Sequence, residues 1–190
     1  MAAVNRSRRL LGELVVLAVG VMVGVTTTGC FGSAATGDAA ESQRSDPSAA
    51  LRDYPLAGLP SAQISVKGHT FRVWLAQDYD PQRPGVVQEG LMHVSAEEIA
   101  DDQGMLFVFA DERYRSFWMR NTITPLDIAF ARANGTIVQT WQMPPLTLSS
   151  FPSLEPAMFA LEVKEGTFER LGIVAGDHME IPDEVLTVQP

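Results

Sequence analysis

The chain has 190 residues, of which 46% are hydrophobic, and a formal net charge of −9. This length and apolar content suffice for one domain with a buried core. The acidic balance argues against nucleic acid as a partner, because phosphate backbones are bound by basic faces. Cys30 is the only cysteine, and no two of the three histidines stand at a metal-ligand spacing. The sequence therefore predicts no disulfide, no metal site and no other cofactor.

Residues 1–29 have the layout of a bacterial lipoprotein signal peptide. Three arginines, ending at Arg9, precede an apolar stretch over 10–25. This stretch is shorter than the roughly 20 residues that a membrane-spanning helix needs. Small residues then lead to Cys30, as in signals whose cysteine receives a diacylglyceryl group. Thr27 stands where such signals usually carry leucine, so an ordinary secretory signal or an uncleaved anchor remains an alternative.

A lipid on Cys30 predicts where the mature protein resides. The lipid, with acyl chains such as palmitate, would hold the protein on the extracytoplasmic side of the cell membrane, since each buried CH₂ contributes about 0.8 kcal/mol. It would also leave the mature chain without a free thiol. Residues 30–60 are rich in Ala, Ser and Gly and lack apolar periodicity, which predicts a flexible tether. Residues 184–190 are predicted to form a C-terminal tail.

The folded domain is predicted over residues 61–183. It begins with alternating apolar and polar residues over 64–75, which indicate a β-hairpin. Ser95 and Glu98 have the spacing of a capping box, which predicts a short helix that begins after Ser95 and ends near 101–102. The continuous apolar run over 104–109 is typical of a strand buried on both faces.

The second half of the domain is also predicted to be mostly β. A charged loop follows the buried strand, Asn134-Gly135 is a hairpin turn, and 143–156 is irregular because of its three prolines. A short helix is expected over 168–171. Further strands are predicted at 117–119, 126–130, 136–141, 158–163 and 178–181.

Many short strands with few helices indicate a mostly β fold of the α+β class. We expect a small closed or nearly closed β-barrel with one or two short helices. The Gly176-Asp177 turn, which leads into the last strand, resembles the turns of cradle-loop and double-psi barrels.

Six short motifs occur in order between about residues 61 and 182. They are Gly90-Leu91-Met92, Gly104-Met105-Leu106-Phe107, Phe117-Trp118-Met119-Arg120-Asn121-Thr122, Pro125-Leu126-Asp127, Leu161-Glu162 and Gly176-Asp177. This succession resembles domain-of-unknown-function family 192, which occurs in bacteria and archaea. The resemblance implies no established activity. The family usually carries a basic residue two places after the first Met, where this chain has Val94 next to His93.

The polar residues after the aromatic strand are candidate ligand contacts. Arg120, Asn121 and Thr122 supply hydrogen-bond donors, and Trp118 and His93 are further candidates. Met92, Met105, Met119 and Met143, with Phe107, Phe109 and Phe117, would either line an apolar pocket or form plain core. The alternative for the polar residues is a structural turn, in which Arg120 pairs with a carboxylate at Asp127 or Glu162.

Asp127 and Glu162 are the candidate catalytic residues. Both stand between apolar strand residues, and two carboxyl groups perform acid–base chemistry where burial separates their pKa values. The alternative is that each carboxylate accepts hydrogen bonds from a neighbouring loop.

Three functions are compatible with these residues. The first is a membrane-tethered envelope module that binds a small polar ligand or serves as an accessory. The second is an envelope hydrolase or glycan-modifying enzyme that uses Asp127 and Glu162. The third is a structural partner that docks on another envelope protein through its aromatic strands.

Overall fold

The computed structural model describes residues 48–187, so the predicted signal, Cys30 and tether residues up to 47 lie outside the described part. The strands are β1 (Ser61–Val66), β2 (His69–Gln77), β3 (Gln103–Phe117), β4 (Leu126–Ala131), β5 (Ile137–Met143), β6 (Phe151–Lys164) and β7 (Met179–Glu180). The α-helices are α1 (Val86–Glu89) and α2 (Thr167–Leu171). Short 3-10 helices span Ala49–Leu51, Leu56–Gly58, Ala96–Glu98 and Asp183–Leu186.

The seven strands form one sheet in the order β5-β4-β6-β3-β2-β1-β7. Only the β2–β3 pair is parallel among the strand pairs of residues 48–187. The sheet curls until its two edges meet, where Thr136 before β5 bridges to His178 before β7. This curled half-barrel with two short α-helices confirms the predicted mostly β class.

The sheet is covered on both faces by apolar side chains. One face carries a core that includes Met105, Phe107 and Ile128, packed against α1 and the segment before β1. The opposite face carries a second core that includes Leu106 and Phe168, packed against α2. The first half of β3 is therefore buried on both sides, as its continuous apolar run predicts.

Strand β3 is longer than the sequence predicts. The charged residues 110–116 were expected to form a loop, but they continue β3 along β6, with register shifts between Val108 and Arg113. The prolines of the predicted irregular segment likewise do not prevent β6 from beginning at Phe151. In both cases pairing between the two strands overrides the local signals of charge and proline.

Both ends of the described chain pack on the domain. The tether was predicted to reach residue 60, but Leu56 and Leu59 are buried and the Arg52 guanidinium donates to the Met92 carbonyl at 2.8 Å. In the predicted tail, Val185 is fully buried and its carbonyl accepts from the Gln77 amide at 2.9 Å. A few apolar side chains thus suffice to fix segments whose overall composition is polar and small. None of the helices between residues 48 and 187 is long and apolar enough to cross a membrane.

Candidate ligand-binding site

The two candidate catalytic carboxyls lie on opposite faces of the sheet. In the β4–β6 ladder Asp127 pairs with Val163, and Ile128 pairs with Glu162. Directly paired residues share a face and successive residues alternate, so Asp127 and Glu162 point away from each other. The structure therefore does not bring them together, and they cannot flank one scissile bond as the predicted enzyme would require.

Asp127 belongs to the face that carries α2. One of its carboxyl oxygens accepts from the Phe168 backbone N–H at 2.9 Å, in the first turn of that helix. The side chain is buried, and its other oxygen has no hydrogen-bond partner among residues 48–187. Burial raises the pKa of Asp127, while the backbone donors at Phe168 and Gly166 oppose that shift. This geometry corresponds to the structural alternative, in which the carboxylate holds a loop and a helix end.

Glu162 lies at the base of a surface cleft of about 340 Å³ on the other face. We call this the Glu162 cleft. One side is formed by α1 and the residues after it, and the other by the aromatic half of β3. Its lining residues are Val87, Gln88, Glu89, Gly90, Leu91, Met92, Phe107, Phe109, Tyr114, Arg115, Ser116, Phe117, Trp118, Thr122 and Glu162. The volume is that of a site for a small organic molecule.

The Glu162 carboxyl is buried where it faces the cleft. The residue is 4% exposed, and within residues 48–187 no hydrogen-bond or ion-pair partner faces it. Burial alone raises the pKa of Glu162 to about 8. At neutral pH the group is thus mainly protonated while the cleft is empty. A buried polar group without a partner is costly, and such groups are uncommon in folded proteins.

Aromatic rings form the wall of the cleft along β3. The rings of Phe107 and Phe117 meet edge to face at 4.9 Å between centroids, and Phe109 and Phe117 do so at 6.4 Å. The Arg115 guanidinium lies 4.0 Å from the centroid of the Phe109 ring. It also donates to the Asp111 carboxylate at 2.8 Å, and Asp111 pairs in addition with Arg113.

The opposite wall depends on the segment before β1. Glu89 in α1 accepts from the Asp53 backbone N–H at 2.7 Å and lies 3.4 Å from the Arg52 guanidinium. Gly90 follows with φ of 49°, and a side chain there would meet the Phe107 ring at 3.2 Å. Glycine is therefore required both by the backbone conformation and by the close approach of the two walls.

At the rim of the cleft, several residues have a positive backbone φ angle, which residues other than glycine rarely adopt. His93, Asn121 and Leu146 have φ values of 65°, 56° and 58°. They are linked by backbone bonds, from the His93 N–H to the Asn121 carbonyl and from the Leu146 N–H to the Thr122 carbonyl, both 2.9 Å. Such strained positions cluster at functional sites more often than elsewhere.

The predicted ligand contacts lie in the cleft, beside it or at its rim. Trp118 and Thr122 line the cleft together with Glu162, and Trp118 is 50% exposed. Arg120 and Asn121 are exposed beside it, with the Arg120 guanidinium 5.6 Å from the Trp118 ring. His93 lies at the rim but does not line the cleft. Among the ion pairs of residues 48–187, none joins Arg120 to Asp127 or Glu162, so the predicted pairing is absent.

The predicted methionine and phenylalanine cluster is partly pocket and partly core. Met92 and the phenylalanines at 107, 109 and 117 line the cleft. Met105, Met119 and Met143 are fully buried in the core beneath it.

A family model covers the same domain. It is the model of domain-of-unknown-function family 192, described as an uncharacterised ACR family, and it matches residues 62–181. The chain belongs to this family. The match includes every residue of the Glu162 cleft, whereas the segment that supports α1 from residues 48–59 precedes it.

Two solved structures are similar to this family 192 domain. A protein of unknown function from Novosphingobium aromaticivorans has 32% sequence identity and a TM-score of 0.60, with 67% of this chain and 89% of that chain covered. A protein from Sinorhizobium meliloti, described as a proposed transcription regulator, has 32% identity and a TM-score of 0.58, with 64% and 94% covered. No protein with a curated description matches the chain.

Some cleft residues were not among the sequence-based candidates. Arg115 and Tyr114 were assigned to a loop, and Glu89 belongs to a helix that was not predicted. Residues 110–117 show no regular alternation of apolar and polar side chains, so the continuation of the strand has no local signal.

A larger groove of about 590 Å³ lies near β7. Its polar side chains include Asn134, His178 and Glu180, all of which are exposed. Solvent already satisfies such groups, so the groove lacks the unpartnered buried group that distinguishes the Glu162 cleft. In the described part of the chain no three His, Cys, Asp or Glu side chains are grouped to hold a metal.

Proposed function

We propose that this family 192 protein is a ligand-binding module of the cell envelope. In this proposal a lipid on Cys30 holds it on the extracytoplasmic side of the membrane, and a small molecule binds in the Glu162 cleft. The observation that carries the binding proposal is the buried Glu162 carboxyl, which faces the cleft and has no partner among residues 48–187.

A ligand would remove the cost of this arrangement. Burying a polar group without a hydrogen bond costs roughly 1–3 kcal/mol, and a bound molecule that supplies the missing bond recovers part of it. The surrounding rings offer apolar contact, and Thr122 and Ser116 offer hydroxyl groups at the cleft surface. A buried carboxyl beside aromatic rings and hydroxyl groups is a combination that small-molecule sites use.

Nucleic-acid binding receives no support from this chain. The Sinorhizobium relative is described as a proposed transcription regulator, but a net charge of −9 gives this protein little attraction for phosphates. Catalysis by the predicted pair of carboxyls is likewise not favoured, because Asp127 and Glu162 occupy opposite faces.

The anchoring part can be tested by metabolic labelling with an alkyne analogue of palmitate. We expect the wild type to be labelled and Cys30→Ser to be unlabelled. Thr27→Leu is the matched control, since it introduces the residue that such signals usually carry and should keep the label. An unlabelled wild type, or a labelled Cys30→Ser variant, would contradict the anchor.

The binding part can be tested by an NMR fragment screen of the full chain. Hits should shift the Met92 methyl and Trp118 indole resonances together, because both groups line the cleft. Val87→Trp, which fills the cleft from α1, should abolish these shifts. Val174→Trp, at a position that is 55% exposed on another part of the surface, should preserve them. Hits that persist in a folded Val87→Trp variant, or a screen that moves neither resonance, would overturn the proposal.

A further inference from the structure

We propose that the Glu162 cleft selects a ligand with an organic ammonium group on a small apolar body. The ammonium group would face the Glu162 carboxylate, and the body would lie against the aromatic wall of β3. This inference rests on the proposed function and adds the charge class of the ligand to it.

The first argument is the balance of charge inside the cleft. Its charged lining residues are Glu89, Arg115 and Glu162. Glu89 is paired with Arg52, and Arg115 is paired with Asp111, a carboxylate that it shares with the exposed Arg113. Glu162 alone has no counter-charge among residues 48–187. A buried carboxylate is stabilised by a cation or by hydrogen-bond donors, and a ligand ammonium group would supply both to Glu162.

The second argument is the nature of the wall. The rings of Phe107, Phe109 and Phe117 pack edge to face, and all three line one side of the cleft. Ring faces attract organic cations, and the attraction grows when the cation is removed from water. The fold already uses this contact at the same wall, where the Arg115 guanidinium lies 4.0 Å from the Phe109 ring centroid.

The third argument excludes the opposite charge. An anionic ligand would meet Glu89 and Glu162. Among the described residues that line the cleft, the one cation is Arg115, which already contacts Asp111 and the Phe109 ring. A neutral hydroxyl ligand could bond to protonated Glu162. It would leave the aromatic wall without the electrostatic part of its contact with a cation, and it would keep Glu162 in the protonated form.

The test uses three probes that share a benzyl or phenyl body: benzylammonium, benzyl alcohol and benzoate. Titrations of the full chain at pH 8 should show benzylammonium binding in the cleft, weaker binding of benzyl alcohol and no binding of benzoate. Glu162→Gln should weaken benzylammonium by about tenfold or more, since it removes the counter-charge without removing volume. Glu165→Gln, at an exposed position three residues away, should leave the affinity unchanged.

A second measurement needs only the wild type. At pH 6.5, calorimetry in buffers of different ionisation enthalpy should show release of about one proton when benzylammonium binds and none when benzyl alcohol binds. Besides Glu162, the titratable residues that line the cleft are Glu89 and Arg115, which are both paired, and Tyr114, which is exposed.

Two kinds of result would overturn the inference. One is equal or tighter binding of benzyl alcohol or benzoate at the cleft resonances, which would leave the proposed binding function intact. The other is benzylammonium binding without proton release and without loss in Glu162→Gln. If none of the three probes binds, the inference fails, and the fragment screen decides separately whether the cleft binds any ligand.

Discussion

Each face of the sheet buries one of the two candidate carboxyl groups, but in different surroundings. On the α2 face, Asp127 receives a backbone N–H from Phe168 and thereby joins β4 to the start of the helix. On the α1 face, Glu162 is as deeply buried but receives no donor, and it opens on a cleft. The two residues occupy adjacent strands and lie under different elements of the fold.

This difference separates a structural role from a binding role. The main contact of the Asp127 carboxylate lies within the fold, so its removal should lower the free energy of unfolding. A partner for Glu162 can come only from a bound ligand. Replacing Glu162 should therefore weaken ligand binding and should remove the cost of burying its carboxyl. Measurements of the stability of matched variants therefore test this difference between Asp127 and Glu162.

The largest effect is expected for Glu162→Gln as a function of pH. The pKa of Glu162 is raised from 4.5 to about 8 in the folded state. The stability that this group contributes is complete below about pH 4.5 and is lost as the pH rises to about 8. Glu162→Gln removes this pH dependence. The free energy of unfolding of the variant should therefore rise relative to that of the wild type by on the order of 4 kcal/mol between those limits.

Urea unfolding of both proteins at pH 4.5, 6 and 8 measures this advantage. Glu165→Gln is the control, because it changes the same residue type at an exposed position and should show no such growth. A Glu162→Gln variant that loses stability at pH 8 would mean that the carboxylate has a stabilising partner.

A smaller effect of opposite sign is expected for Asp127→Ala. It leaves the buried Phe168 N–H without an acceptor, which should cost about 2 kcal/mol. Asp127→Asn keeps a carbonyl oxygen that can accept the same bond, so it should cost less than half as much. Thermal unfolding at pH 7 compares the two. Equal losses in both variants would show that the charge, and not the hydrogen bond, matters at this position.

Local signals predicted much of the fold. The alternation over 64–75 correctly indicates the β1–β2 hairpin, and Asn134-Gly135 correctly indicates the β4–β5 connection. The Ser95 backbone N–H donates to the Glu98 carboxylate at 2.8 Å, as the capping-box spacing predicts. Each of these signals lies within a few residues of the structure that it specifies.

The candidate site could be predicted only in part. Trp118, Thr122 and Glu162 were recognised as candidates, and they meet in one cleft. Their separation from Asp127 depends on the β4–β6 register, which joins segments more than 30 residues apart and has no local signature. The cleft also needs α1, whose residues give only a four-residue helix and are held in place by the segment around Arg52.

The most direct test of this account is the titration of the Glu162 carboxyl itself. Carbon-13 NMR of glutamate-labelled protein, assigned with Glu162→Gln, gives the pKa without any ligand. The account predicts a midpoint near pH 8, with no matching change at the Phe168 amide, which reports on Asp127 across the sheet. A Glu162 midpoint near 4.5 would contradict it, because the carboxyl would then be solvated or paired and the cleft would lack its unpartnered group.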